Sequence, residues 1–409
     1  MRIRFVTLYY PPEVGAAQRR ISELARRLAE LGHKVTVVTG FPNYPSGIKP
    51  GSYRGKFSMR EEKDGYTIIR LPHYVAPNKG FLKRILIHLT YAFSACIYTL
   101  FMKRDDVVYV ESPPLFNGFI GLVGKWIRRI PYVFNVADLW PQTAIELGML
   151  RNKPIIKFTQ FLEKLFYNQS IRILAITAGV RASICEMGYD KDFVPLITNG
   201  VDIKAFNESV EPDKEVLSHK NKDGLLVVYA GTHGLIYSLD TILQAAEIVE
   251  DDNIQFVFIG GGADKQRIVN LARDMKLKNV TFLPPKPSDV MPSVFRAADV
   301  AVISLRDLPV SKKIIPMKSF EIMGVGVPII LATKGEIAGY LKKADNGFIV
   351  EPENPRQLAE ALKTMAGLSK EDRYSLGHNG RNYVVENFSH EKITKKLEAI
   401  LSEAISDDE

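Results

Sequence analysis

The chain has 409 residues, 46% hydrophobic and 24% charged, the composition of soluble globular domains with no low-complexity tract. That length is too great for one ordinary core and suits two domains of about 200 residues each. The net charge of +8 is divided unequally, +12 over residues 1–203 and −4 over the remainder, so an anionic partner, nucleic acid or lipid, is expected on the first half alone, unless its Lys and Arg are simply solvated helix faces.

In chain order, Met1 is followed by RIRFVTL, a short strand too brief for a signal peptide core, and the protein is expected in the cytoplasm. That strand leads into the loop PPEVGAAQ, which holds Gly15. An amphipathic helix follows, with Ile21, Leu24, Ala25, Leu28 and Leu31 on one face and Gly32 at its end, and then the strand KVTVVT. Residues 85–102, ILIHLTYAFSACIYTLFM, carry no charged side chain and lie between Lys83-Arg84 and Lys103-Arg104. Eighteen residues are near the lower limit for a membrane span, but the strands on either side read as one parallel sheet, which a single crossing would separate. The expectation is a helix or hairpin touching the bilayer, with Phe81, Leu82, Trp126, Arg128 and Arg129 extending the patch; a plain buried helix is the alternative. VVYVES, YVFNVAD, RILAIT and FVPLIT read as further strands. Cys96 and Cys185 show neither metal-ligand spacing nor a disulfide framework, which fits a reducing compartment.

The second half repeats the plan. After EPDKEVLSHKNKDG, read as part of a polar linker over 204–223, come the strand LLVVYA, the loop GTHGLIYS, the helix LDTILQAAEIV and the strand IQFVFIGGG. VTFLP, VAVISL and VPIILAT continue it. Alternating apolar strands and helices predict an α/β protein of two Rossmann-like, doubly wound parallel-sheet domains, 1–203 and 224–383, with 384–409 as a terminal helix. Ligands of such sheets bind outside the carboxyl ends of the strands, and the expected site is the cleft between the domains.

Several chemistries fail on inspection. Asp190-Lys191-Asp192 has the form of a metal ligand pair but reads as a solvated turn, and neither a Gly-X-Ser-X-Gly elbow nor a phosphate loop ending in Gly-Lys-Ser/Thr is present. Gly15, Gly231 and Gly234 follow first strands and precede helices, where backbone approaches a ligand closely and free N–H groups hold anions. His233 between two of them reads either as a donor to phosphate or a sugar hydroxyl, or as a surface histidine without a role. The sharpest signal is SKKIIPMKSFEIMGVGVPII at 311–330. Lys312, Lys313 and Lys318 crowd the start of a helix whose dipole already places positive potential there. An anion between them resolves the conflict, and Glu321, three residues beyond Lys318, suits a pair of sugar hydroxyls. Diphosphate and ribose together describe a nucleoside diphosphate; a surface Lys–Glu pair is the plain alternative.

At this point the residues resemble a known family. PPEVGAAQRR, DLWP at 138–141, NGVD at 199–202, YAGTHG at 229–234 and IIPMKSFEIMGVGVPII together resemble the retaining glycosyltransferases of family 4, which have the two-domain GT-B fold. SPPLFNG, DLWP and GTHG look most like the bacterial branch that adds amino sugars such as N-acetyl-L-fucosamine in O-antigen or capsule synthesis. The resemblance implies transfer from a nucleotide-sugar, UDP-linked, with retention of configuration, no metal and no cofactor. It places the ribose on Glu321, the diphosphate on Lys318 and the backbone of Gly231, Thr232, His233 and Gly234, and the first loop, at Gly15, against the donor; the stretch from about Val384 then looks like the helix that crosses back onto the first domain. Three departures stand out: Lys313 occupies the slot of a frequent first glutamate, Thr232 and Tyr237 stand near a basic pair's places, and Ala137 replaces the histidine before Asp138. Phosphate neutralisation then falls to Lys312, Lys313, Lys318 or Arg306, with Lys313 as the catalytic candidate. Asp138 is the candidate for orienting or deprotonating the acceptor.

The expected partners are a nucleotide-sugar, a polyprenyl-diphosphate-linked sugar acceptor and the anionic inner face of a bacterial membrane. Nucleic acid is not expected, because the aromatics do not interleave with the basic residues. A nucleotide-sugar 2-epimerase and a noncatalytic scaffold with a basic face remain the alternatives.

Overall fold

A computed structural model describes residues 1–13, 15–44, 46–76, 81–146 and 148–408, leaving aside the side chain of Phe81. It divides into two compact units, Met1–Asn199 with His390–Glu409, and Gly200–Ser389.

The first unit runs β1 (Arg2–Val6), α1 (Ala16–Glu30), β2 (Lys34–Gly40), β3 (Met59–Lys63), β4 (Tyr66–Leu71), α2 (Phe81–Phe101) and β5 (Val107–Ser112). It continues with α3 (Gly118–Arg128), β6 (Tyr132–Val136), α4 (Gln142–Glu146), α5 (Lys153–Gln169), β7 (Arg172–Ala175) and α6 (Ala178–Glu186). Seven strands form one sheet in the order β3-β4-β2-β1-β5-β6-β7, parallel except for the β3–β4 hairpin. β1, β2, β5 and β6 are buried along almost their whole length because helices cover both sides of the sheet. One side packs Val38, Val108, Val110 and Phe134 against α2, α3 and α5. The other packs Ile3, Phe5, Val35 and Val37 against α1. FVPLIT, expected as a strand, makes only an isolated bridge from Ala175 to Leu196, because Pro195 cannot donate to a ladder.

In the second unit α7 (Lys214–Leu217), β8 (Leu225–Ala230), α8 (Leu239–Ile248), β9 (Ile254–Ile259), α9 (Lys265–Asp274), β10 (Val280–Leu283) and α10 (Met291–Arg296) come first. They are followed by β11 (Val300–Ser304), α11 (Met317–Gly324), β12 (Ile329–Ala332), α12 (Glu336–Ala344), β13 (Gly347–Val350), α13 (Pro355–Gly367) and α14 (Lys370–Asn387). The six-stranded sheet is all parallel, in the order β10-β9-β8-β11-β12-β13. The final helix, α15 (His390–Asp408), belongs to the first unit, where Ile393, Leu397, Leu401 and Ala404 pack beside Ile21, Leu24 and Leu28 of α1.

Two expected boundaries move. Residues 204–223 are not a free linker: Phe206 and Val216 are buried in the second unit's core, and α7 is capped by Asp213, whose Oδ1 accepts the Val216 N–H at 3.0 Å. The returning helix begins at His390 rather than 384, since Val384 is fully buried in the second unit's core.

The apolar segment 85–102 is not a plain buried helix. Along α2, Ile87, Tyr91, Ala92, Ala95 and Thr99 face the core, and the Tyr91 hydroxyl donates to the carbonyls of Thr7 and Val38 at 2.9 and 2.8 Å. The opposite stripe of Leu82, Leu86, Leu89, Phe93, Ile97 and Phe101 is exposed.

Candidate active site

In the second unit the site residues gather at the carboxyl ends of β8, β9 and β11, where the chain must turn back over the sheet. Two glycine loops interlock there. Gly231 has φ +129, and Gly260 and Gly262 have φ +140 and +152, conformations closed to ordinary L residues. A Cβ on Gly260 would lie 1.9 Å from the Gly231 carbonyl oxygen, and one on Gly262 would lie 2.4 Å from that of His233. Gly234 adopts no such conformation. The His233 N–H donates to the Gly261 carbonyl at 2.9 Å, and its own carbonyl accepts the Asp264 N–H at 2.9 Å.

His233 is therefore no surface residue. It is fully buried beside Tyr229 and Phe258, and burial, with help from Lys265 and Lys318, pushes its imidazole down to about 4. Its ring is neutral at ordinary pH. The signal for this lay in the two neighbouring glycine runs, which close over it. Thr232 is exposed, and its carbonyl accepts the Tyr229 hydroxyl at 2.7 Å.

Lys318 enters from α11. Pro316 is the N-cap of that helix, and Lys318 is its second residue. The aliphatic stem is partly exposed, but Nζ has no exposed surface and no hydrogen-bond partner among the described residues. It lies 3.8 Å from the centre of the Tyr229 ring and 4.3 Å from that of Tyr237, below the loop at Gly231. Two ring faces offset part of a desolvation cost of several kcal/mol, about 2 kcal/mol each at best. Burial consequently lowers the ammonium to about 7, and Glu321 opposes the shift. Glu321 is itself buried, at 8% exposure, on the same helix. The hydroxyls of Ser304, at the end of β11, Ser311, in the turn after it, and Ser319, on α11, are also buried without a hydrogen-bond partner among the described residues. These serines carried no motif and were not foreseen.

The other basic candidates differ. Arg306 is already committed: its guanidinium donates to Asp240 at 3.1 Å, to Glu353 at 2.9 Å and to the Leu235 carbonyl at 2.8 Å. It clamps the loop before α8, and its charge is answered by two carboxylates. Lys312 is exposed and 3.6 Å from Asp307. Lys313 follows the 3₁₀ turn Val310–Lys312, half-buried.

Gly15 and Asp138 belong to the first unit. Gly15 is the N-cap of α1 with φ 175, extended backbone that any residue adopts. Asp138 follows β6; burial raises its carboxyl, and the Thr143 hydroxyl donates to it at 2.6 Å. A network that sequence spacing did not reveal lies nearby, at the end of β5. Glu111 is buried against Arg20, and it accepts from Asn135 at 2.8 Å, while Arg20 reaches Asn199 at 3.1 Å. Burial pushes Glu111 up to about 7 against the opposing pull of Arg20. Asp190 accepts the Asp192 N–H at 2.7 Å, which makes that segment a turn.

Residues 15–200 match the glycosyl transferase 4-like domain, and residues 211–383 match glycosyl transferases group 1. The two matches lie end to end along almost the whole chain, one for each sheet. The chain belongs to the family 4 glycosyltransferases. This glycosyltransferase is 22% identical over 401 residues to the putative colanic acid biosynthesis glycosyl transferase WcaI of Escherichia coli, covering 95% of this chain and 97% of that one. Its GT-B fold is shared with sucrose-phosphate synthase of Thermosynechococcus elongatus (TM-score 0.77, 17% identity, 99% of each chain). It is shared as well with HepE of Anabaena, solved in complex with UDP and glucose (TM-score 0.70, 15% identity, 98% of this chain and 99% of that one).

Proposed function

We propose that this glycosyltransferase moves a sugar from a UDP-linked donor, with retention of anomeric configuration and without a metal ion, onto a polyprenyl-diphosphate-linked sugar during bacterial surface polysaccharide synthesis. The observation that carries the reading is Lys318: a buried ammonium on two tyrosine faces, without a hydrogen-bond acceptor among the described residues, beneath a glycine loop at the carboxyl edge of the sheet. An uncompensated buried cation is costly unless an anion joins it. A diphosphate is such an anion, and Gly231 places no side chain over Nζ. Glu321 on the same helix suits the ribose hydroxyls, being a buried carboxylate.

Chemically, the bond between the sugar's anomeric carbon and the diphosphate oxygen breaks, and negative charge grows on the leaving group. Lys318 counters that charge as it develops, with Lys313 as the second candidate. The acceptor hydroxyl bonds to the anomeric carbon on the face the diphosphate leaves, and its proton goes to the departing phosphate oxygen or to Asp138. The names of WcaI and HepE support the substrate class: colanic acid biosynthesis for one, UDP and glucose for the other. The amino-sugar branch implied by SPPLFNG and DLWP narrows the donor to sugars of the N-acetyl-L-fucosamine kind. The enzyme then works at the cytoplasmic side of the membrane, where both substrates meet.

Incubation of the protein in EDTA with UDP-sugars and a short polyprenyl-diphosphate-linked amino sugar tests this directly. The expected product keeps the donor's anomeric configuration by NMR. An inverted product, a manganese requirement, or an epimerised donor without transfer contradicts it.

A further inference from the structure

The first unit exposes an apolar face that the donor site does not use. α3 packs between α2 and α5 on one side of the sheet, and all three leave large apolar side chains in solvent. On α2, Leu82 is 81% exposed, Phe93 69% and Phe101 84%, with Leu86, Leu89 and Ile97 completing the stripe along the helix. α3 adds Trp126 and Ile127; α5 adds Ile155, Phe158 and Phe161. The three helix ends are tied together. Arg128 donates to the Met102 carbonyl at 2.9 Å, Arg104 to that of Arg129 at 3.3 Å, and the Trp126 indole N–H to Gln169 Oε1 at 3.2 Å. A monomer does not ordinarily leave so many large apolar groups side by side.

Charge identifies the occupant. α2, α3 and α5 carry Lys83, Arg84, Lys125, Arg128, Lys153, Lys157 and Lys164 against a single acid, Glu163, which is buried and accepts the Tyr167 hydroxyl at 3.0 Å. Lys103, Arg104, Arg129 and Arg151 stand at the helix ends. An apolar centre with a rim of cations and no exposed acid along the helices matches a leaflet of anionic phospholipid: acyl chains for the stripe, phosphates for the rim. A second copy of the chain offers the same cations and would meet them with repulsion.

We infer that the α2–α3–α5 face is a monotopic docking surface for an anionic membrane. α2 lies in the interface and does not cross it, although its length and composition suffice for a span. Its other side is part of the core, where Tyr91 bonds to Thr7 and Val38 and the Ser94 hydroxyl donates to the Pro72 carbonyl at 2.6 Å. The stripe runs the length of the helix, so Leu82 and Phe101 enter to similar depth. This deepens the lipid-linked acceptor reading but stands without it.

Co-sedimentation with vesicles tests the surface. Protein should bind vesicles of phosphatidylcholine with one-third phosphatidylglycerol, and bind at least tenfold less to phosphatidylcholine alone or in high salt. Phe93→Ser with Ile97→Ser on α2, and Phe158→Ser with Phe161→Ser on α5, should each lower partitioning by roughly tenfold or more. These side chains are exposed, so thermal melting and the shift produced by UDP should match wild type in both variants. Trp126 fluorescence should shift blue on binding and be quenched by lipids brominated near the glycerol end of the chain. No binding of the wild-type protein to anionic vesicles overturns the inference, as does binding indifferent to the α5 pair. A dimer in sedimentation velocity that both pairs disperse assigns the face to a second copy and overturns it as well. Vesicle binding without any UDP effect leaves this surface standing and counts against the donor site instead.

Discussion

Lys318 decides most of what the molecule is expected to do with pH. Its folded pKa, near 7, is far below the ordinary lysine value because burial penalises the cation. A bound diphosphate favours the cation and raises that value, so binding above pH 7 takes up a proton. UDP affinity should therefore fall by up to about tenfold per pH unit between roughly pH 7.5 and 9. Calorimetry at pH 8.5 in buffers of different ionisation enthalpy should show a fraction of a proton taken up per UDP, and none in Lys318→Gln. Equal apparent enthalpies for the wild-type protein would contradict this. Glu321→Gln should raise donor KM by roughly ten- to a hundredfold with kcat little changed, because ribose contacts hardly alter along the reaction. A loss confined to kcat would place Glu321 at the reacting centre instead. The place of these two residues on one helix, with Lys318 in its first turn, was legible in the sequence. The aromatic faces behind Lys318 were not, since Tyr229 and Tyr237 lie some eighty residues away in the chain.

At the scale of elements, the interlocked glycine loops after β8 and β9 hold the floor of the site. Gly260→Ala combines φ +140 with a Cβ 1.9 Å from the Gly231 oxygen, a strain of about 1–3 kcal/mol before the clash is counted. It should lower Tm and UDP affinity together. Gly339→Ala, in α12 with nothing near its Cβ, should instead raise stability by up to about 1 kcal/mol. Parallel melts of the two variants check both; a neutral Gly260→Ala would mean that the loops move apart readily. Strands β5, β8 and β11 were plain in the sequence because a doubly covered strand carries a run of apolar residues. β3 and β4 were not read there, since MREEK on the sheet edge looks like loop. α2 defied periodicity for a different reason: both of its faces are apolar, one for the core and one for solvent.

For the whole molecule, the first unit is closed by a segment from the far end of the chain. Ile393, Leu397 and Leu401 of α15 are buried with α1, and each contributes about 1.5–3 kcal/mol. Ending the chain at Ser389 removes a stabilisation comparable to that of an ordinary domain. The truncated protein should show an unfolded or aggregated first unit by near-ultraviolet circular dichroism, while the second still binds UDP; two wild-type transitions would contradict this. The two-domain plan was visible in the repeated strand–loop–helix order, but the boundary was misplaced because polar composition hid the anchors Phe206 and Val216. In the proposed reaction Lys318 receives the donor's diphosphate. Calorimetric titration of UDP into wild-type protein and Lys318→Gln at pH 7 tests it most directly. A charge-assisted contact of about 1.5–3 kcal/mol predicts a Kd roughly ten- to over a hundredfold weaker in the variant, with Tm preserved or raised. Equal Kd values in the two proteins would contradict it.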